Sequence, residues 1–243
     1  MRRLGRAGGR PLLRPGLRGP AVALVCACLV IIAILGAWLA HRAQPGSVDG
    51  RTDDWLIAHV HSGRGMLKAV GSLGNTNWAV LVFGLLVLTC AVTRRYRGAL
   101  LVVIAAPVAG AVSEYVLKPL FDRTISGYLA FPSGHLTAVS TMAVALVVLL
   151  TGPARWPLPA PLRWLLAATA LAAVPAAAIS VVIDQYHYFT DTVGGTAVGT
   201  ATVLATALVV DGAFARRGRR AAADDDPAAR DGISAAAPGL PRV

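Results

Sequence analysis

Residues 21–40 read AVALVCACLVIIAILGAWLA, 20 consecutive positions without a charged side chain. An α-helix needs roughly 20 such residues to cross the hydrocarbon core of a bilayer. The run is longer than the roughly 7–15 residues of a secretory signal core. No small-x-small cleavage site separates it from His41 and Arg42, so it is expected to remain as a membrane span. The composition around it agrees. Of 243 residues, 56% are hydrophobic and 14% charged, with a formal net charge of +11. A water-soluble globule carries about a quarter charged residues, and a disordered chain lacks this hydrophobicity. Both classes are excluded, leaving an integral membrane protein.

Five further apolar runs follow, at residues 78–93, 98–117, 136–150, 164–183 and 192–210. The last is rich in Gly, Ala and Thr, which let membrane helices approach closely. Residues 41–77 are polar and broken by glycines, with an irregular apolar stripe that suggests short helices lying at the interface. The expected fold is therefore all-α: a polytopic bundle of six transmembrane helices, with short interfacial helices between the first and second spans. A basic leader (1–20), a membrane domain (21–211) and a basic, then disordered tail (212–243) complete the plan.

The 23 basic residues are 21 Arg and two Lys, Lys68 and Lys118. With both termini cytoplasmic, 17 of them lie on the inner side: in the leader, after the second span, after the fourth span and in the tail. That asymmetry satisfies the positive-inside rule and assigns the protein to the cell membrane. The clusters flank apolar runs and do not line one helical face, so no nucleic-acid partner is expected. Cys26, Cys28 and Cys90 fall inside apolar runs without disulfide or zinc-ligand spacing and read as core residues. There is no internal repeat and no Gly-rich nucleotide loop, so ATP-driven chemistry has no support. No feature specifies an oligomeric state.

Under this topology three polar segments share the outer face: 118–123, 131–135 and 184–191. Pro132-Ser133-Gly134-His135 precedes an apolar helix, and free amides at a helix start make an anion site through which Ser133 and Gly134 can present N–H groups. His187 and Asp191 are spaced i, i+4, so on one helical face the carboxylate would orient the imidazole. Lys118 and Arg123 lie at the end of the third span, where snorkelling basic residues are common. Each feature alone has an ordinary structural explanation; their convergence on one face points to a site for an anionic substrate. Glu114, four positions before Lys118, fits a simple structural pair. Tyr186, Tyr188, Phe189 and Trp55 fit an aromatic belt at the membrane surface.

Taken in order, a Lys/Arg segment, Pro-Ser-Gly-His, and then Ser180-x6-His187-x3-Asp191 resemble the type 2 phosphatidic acid phosphatase superfamily over about residues 75–210. The resemblance implies a metal-independent lipid phosphatase without a cofactor. His187 would be the nucleophile that forms a phosphohistidine, Asp191 its orienting partner, and His135 the acid for the leaving group. Lys118 would hold the phosphate. The substrate would be a membrane lipid phosphate, either a polyprenyl phosphate or pyrophosphate or a phosphatidic-acid-like lipid. Two positions depart from the family pattern, because Ile125 and Val181 stand where it carries arginine. Arg123, through a shifted loop, is expected to supply the missing contact. The same residues would serve a phosphotransferase, and the lost arginines also fit a lipid-binding protein that has lost efficient catalysis.

Overall fold

The computed structural model describes residues 10–153 and 158–224. Most of them are helical. The elements are α1 (Arg18–Leu39), α2 (Ser47–His59), α3 (Arg64–Gly71), α4 (Thr76–Val92), α5 (Tyr96–Ala111), α6 (Lys118–Phe121), α7 (Gly134–Thr151), α8 (Ala160–Ile183) and α9 (Phe189–Asp224). Among the described residues the only strands are β1 (Thr124–Ile125) and β2 (Tyr128–Leu129), an antiparallel hairpin. The expected disorder of the tail falls mainly on residues outside the described ones, as do the first nine residues of the leader.

Among the described residues five helices are long and apolar enough to span a bilayer, and six if the bent pair formed by 64–74 and α4 counts as one span. That pair bends by 70°. Alone, α4 has 17 residues, about 25 Å of rise, so the second span is short and is entered obliquely from α3. The two short helices expected between the first and second spans are α2 and α3. With no water inside a bilayer to satisfy free backbone groups, helices are what such apolar runs can form. Large side chains such as Ile34, Leu85, Leu171 and Val209 point away from the bundle. Cys28 and Cys90 are buried as expected, but Cys26 faces outward, because its position on α1 lies on the lipid side.

At the centre α7 packs against α5, α8 and α9. Close approach of α7 and α9 depends on Gly195 and Gly199: a Cβ at the first would strike the Ser133 carbonyl, and at the second the Ser140 hydroxyl. Ser140 Oγ uses that proximity, donating to Leu136 O at 2.5 Å and lying 3.4 Å from Gly195 O. Small residues at helix contacts are how membrane bundles gain van der Waals packing without a hydrophobic driving force. At the end of the bundle away from the histidines, Asp211 of α9 accepts the backbone N–H groups of Leu12 and Leu13 at 2.8–3.0 Å and pairs with Arg97 at 3.2 Å. The end of the leader is thus folded against the helices.

Near the other end, α5 gives way to a π-helical segment, Val112–Leu117, before α6. Such widened turns redirect the side chains that follow and recur at functional sites. Here the segment carries Ser113 and Glu114 and leads into Lys118.

Candidate active site

Three chain segments meet at the α7 amino terminus. Ser133 caps α7, its hydroxyl accepting the Leu136 N–H at 3.4 Å, and its own N–H donates to the Asp191 carbonyl at 3.0 Å. The second bond ties the Pro-Ser-Gly-His turn to the start of α9. His135, in the first turn of α7, has Nε2 2.8 Å from Asn75 Oδ1. Its ring lies edge-on to His187, with centroids 6.0 Å apart, and is stacked on Tyr186 at 6.4 Å. A Cβ at Gly74 would collide with the His135 backbone, so the turn before α4 can bring Asn75 to the imidazole because that residue is glycine.

A cavity of about 1030 Å³ opens over these groups. Lys118, Gly134, His135 and His187 line its polar part together with Asn75, Glu114 and Ser126, and Ile125 borders it. The cavity continues between α4, α5 and α7 along Ala79, Val80, Phe83, Ala106, Pro107 and Ala138. One end suits a charged head, and the other suits hydrocarbon.

A family model described as the PAP2 superfamily matches residues 20–214. The chain belongs to the PAP2 superfamily. Among solved structures it is similar to the first transmembrane PAP2-type phosphatidylglycerolphosphate phosphatase from Bacillus subtilis, with a TM-score of 0.63 at 18% identity. That match covers 77% of this chain and 94% of the other, and it is a likeness of fold. No curated protein matches the sequence.

Within the PAP2 frame the sequence-predicted residues divide into two groups. Lys118, Gly134, His135 and His187 come together on the cavity. Ser133, Asp191 and Arg123 are fully or almost fully buried around it. His187 Nδ1 is 3.9 Å from Asp191 Oδ2, an ion-pair distance longer than a hydrogen bond, and Nδ1 has no hydrogen-bond partner. Asp191 Oδ2 instead accepts the Tyr188 N–H at 3.0 Å, the reach-back bond of a capping box at the start of α9.

Arg123 does not lie where the sequence suggested. Its guanidinium is absent from the cavity lining and wholly buried, with Nη1 2.6 Å from both Asp191 Oδ1 and the Thr190 hydroxyl and Nη2 2.5 Å from Asp49 Oδ2. The cause is local. Asp122 adopts a left-handed φ of 46° and ends α6, so the chain reverses and Arg123 turns inward. The hairpin that follows closes through Ser126 and Gly127, both at positive φ, as a primed two-residue turn requires. At the two positions where the resemblance implied arginine, Ile125 lies on the cavity, whereas Val181 is buried with Leu136, Val139 and Ala177. Lys118 is therefore the sole Lys or Arg among the cavity-lining residues, and its Nζ is 2.7 Å from Glu114 Oε2, the pair expected from their spacing.

Two of the aromatic-belt residues also serve the interior: Tyr186 stacks on His135, and the Tyr188 ring lies 4.6 Å from the Arg123 guanidinium carbon. Sequence reasoning missed Asp49, Asp53 and Asn75. The i, i+4 spacing of Asp49 and Asp53 was the available signal for the two carboxylates. Asp53 accepts the Phe189 N–H at 3.2 Å. Its carboxyl is pushed up to about 7 by burial first and then by Asp49 and Asp191, against the opposing pull of the Phe189 N–H and Arg123. Among the described residues no group of three or more His, Cys, Asp or Glu side chains is arranged to hold a metal ion.

Proposed function

We propose that the protein is a lipid phosphatase that hydrolyses a phosphomonoester or pyrophosphate of a membrane lipid through a phosphohistidine. The observation that carries this reading is the cavity in which Lys118, His135 and His187 meet above an apolar channel between helices. With Nδ1 of His187 on the Asp191 side, Nε2 is the ring nitrogen left for phosphorus. Its lone pair forms the N–P bond as the P–O bond to the lipid breaks, and His135 gives the departing oxygen its proton. Water then attacks phosphorus, His135 takes the water proton, and the N–P electrons return to His187. Lys118 and the N–H of Gly134, which has no intrahelical acceptor in the first turn, neutralise the phosphoryl oxygens. Phosphoryl transfer asks chiefly for this positioning and charge neutralisation.

A polyprenyl phosphate or pyrophosphate and a phosphatidic-acid-like lipid both suit a polar head above an apolar channel. The distribution of basic residues supports a site on the outer face with both termini cytoplasmic. The test is release of inorganic phosphate from such lipids by purified protein in detergent, insensitive to EDTA and lost in His187→Ala. Activity that survives this substitution sinks the assignment.

One observation favours a second reading, a lipid-binding protein with weakened catalysis: Lys118 is the single basic side chain on the cavity and is already paired with Glu114. Vanadate, a phosphoryl-transition-state mimic, separates the two, since a working phosphatase is inhibited by it and a lipid-binding relic is not.

A further inference from the structure

Asp49 belongs to none of the motifs that point to phosphoryl transfer, yet it is buried beside two other buried charged residues, Arg123 and Asp191. Its Oδ1 accepts the Thr190 N–H at 2.9 Å, and its Oδ2 accepts the Thr190 hydroxyl at 3.0 Å and meets Arg123 Nη2 at 2.5 Å. One turn further along α2, Asp53 accepts the Phe189 N–H. The i, i+4 spacing brings both carboxylates to one face of α2. That face satisfies the first two amides of α9, which lack intrahelical acceptors. Arg123 then bridges from Asp49 to Asp191 Oδ1, at 2.6 Å.

Charge counting gives this arrangement a consequence for the site. Asp191 and Arg123 alone would form a neutral pair, and an imidazole beside a neutral pair gains little when it becomes cationic. Asp49 brings the buried trio to one net negative charge, in surroundings where solvent screens it weakly. Orientation follows too. Arg123 holds Asp191 Oδ1 and the Tyr188 N–H holds Oδ2, so the carboxylate can turn little beside His187.

We propose that Asp49 is a positioning residue for phosphoryl transfer, acting through Arg123 and Asp191 on His187. The inference rests on the phosphohistidine reading above. Asp49 is not among the residues lining the cavity, so its effect belongs to the chemical step and not to substrate binding.

The test is Asp49→Asn, which keeps the shape and an acceptor for the Thr190 N–H but removes the charge, assayed on a lipid phosphate that the wild type hydrolyses. Expected is a fall in kcat of about 10-fold or more, with KM near wild type and vanadate inhibition weakened along with kcat, since vanadate mimics the transition state that Asp49 helps to stabilise. In a cycle with Asp191→Asn, the double variant should be no slower than Asp191→Asn alone, because both changes act through one carboxylate. Unchanged kcat, a loss confined to KM, or losses that multiply in the double variant would each overturn the proposal. Should Asp49→Asn fail to accumulate as folded protein, Arg123→Lys is read in the same way, since it keeps the charge and loses the fork that joins the two carboxylates. Wild-type protein that releases no phosphate from any lipid phosphate defeats the phosphatase reading and this inference with it; an active wild type beside an unaffected Asp49→Asn defeats this inference alone.

Discussion

Helix α9 carries two buried aspartates, Asp191 in its first turn and Asp211 further along, 20 positions apart. That is about 30 Å along a helix axis, close to the thickness of a hydrocarbon core. Each is matched with an arginine from another part of the chain, Asp191 with Arg123 and Asp211 with Arg97. The surroundings then diverge. Asp211 spends its remaining capacity on the amides of Leu12 and Leu13, while Arg97 lies 4.5 Å from the Phe214 ring. Asp191 stands beside a histidine whose facing nitrogen has no hydrogen-bond partner and whose ring borders a cavity. The same Asp–Arg chemistry ties down a segment at one end and, in the proposed phosphatase, supports the nucleophilic ring at the other. What differs is the neighbour: saturated backbone amides in one place, an imidazole open to a ligand in the other.

Substitution at the two ends should separate activity from stability. Asp191→Asn is expected to lower kcat by about 10²- to 10⁴-fold, as for the orienting aspartate of a catalytic triad, in protein that still purifies as a folded species because Arg123 keeps Asp49 as its partner. Asp211→Asn should do the opposite. Removing one partner of a buried ion pair costs about 3–5 kcal/mol, so its melting temperature in detergent should fall while kcat per folded molecule stays near wild type. Equal losses of kcat at both ends would erase the distinction. Next in size, Lys118→Gln should raise KM by about 10- to 100-fold, as expected for a charge-assisted hydrogen bond worth about 1.5–3 kcal/mol. A measured KM within a factor of two of wild type would remove Lys118 from the phosphate site.

A smaller effect is expected at the two positions where the sequence resemblance implied arginine. Ile125→Arg places a guanidinium on the cavity and should tighten vanadate inhibition several-fold. Val181→Arg buries one among apolar side chains and should reduce the yield of folded protein instead. The smallest effect concerns Asp53, whose folded pKa near 7 lies above its ordinary value of 3.8. Between those values the folded state binds the extra proton, so this group's contribution to stability falls as pH rises from about 4 to 7. Asp53→Asn should therefore melt like wild type near pH 4 and a few degrees higher at pH 8. Melting curves that differ equally at both values would exclude this titration as the cause.

The spans were legible because twenty uncharged residues in lipid have little alternative to a helix. The grouping of Lys118, His135 and His187 was legible because each sits at the end of an apolar run, and alternate runs end on the same face. Arg123 was not. Its direction depends on the left-handed Asp122 and on Asp49, which lies 74 positions earlier in a helix whose apolar pattern was irregular. Asn75 was hidden for a similar reason, since its place beside His135 follows from the bend before α4 and from the absent side chain of Gly74.

By itself the sequence determined the solvent, the set of apolar helices and which ionisable groups sit at their ends, all of which follow from local hydrophobicity. Only the tertiary structure decided which of those groups meet the cavity and which are spent on one another. A buried charge must find a partner wherever the chain can bring one, and partners such as Asp49 and Arg123 are joined by packing over distances that local pattern does not encode.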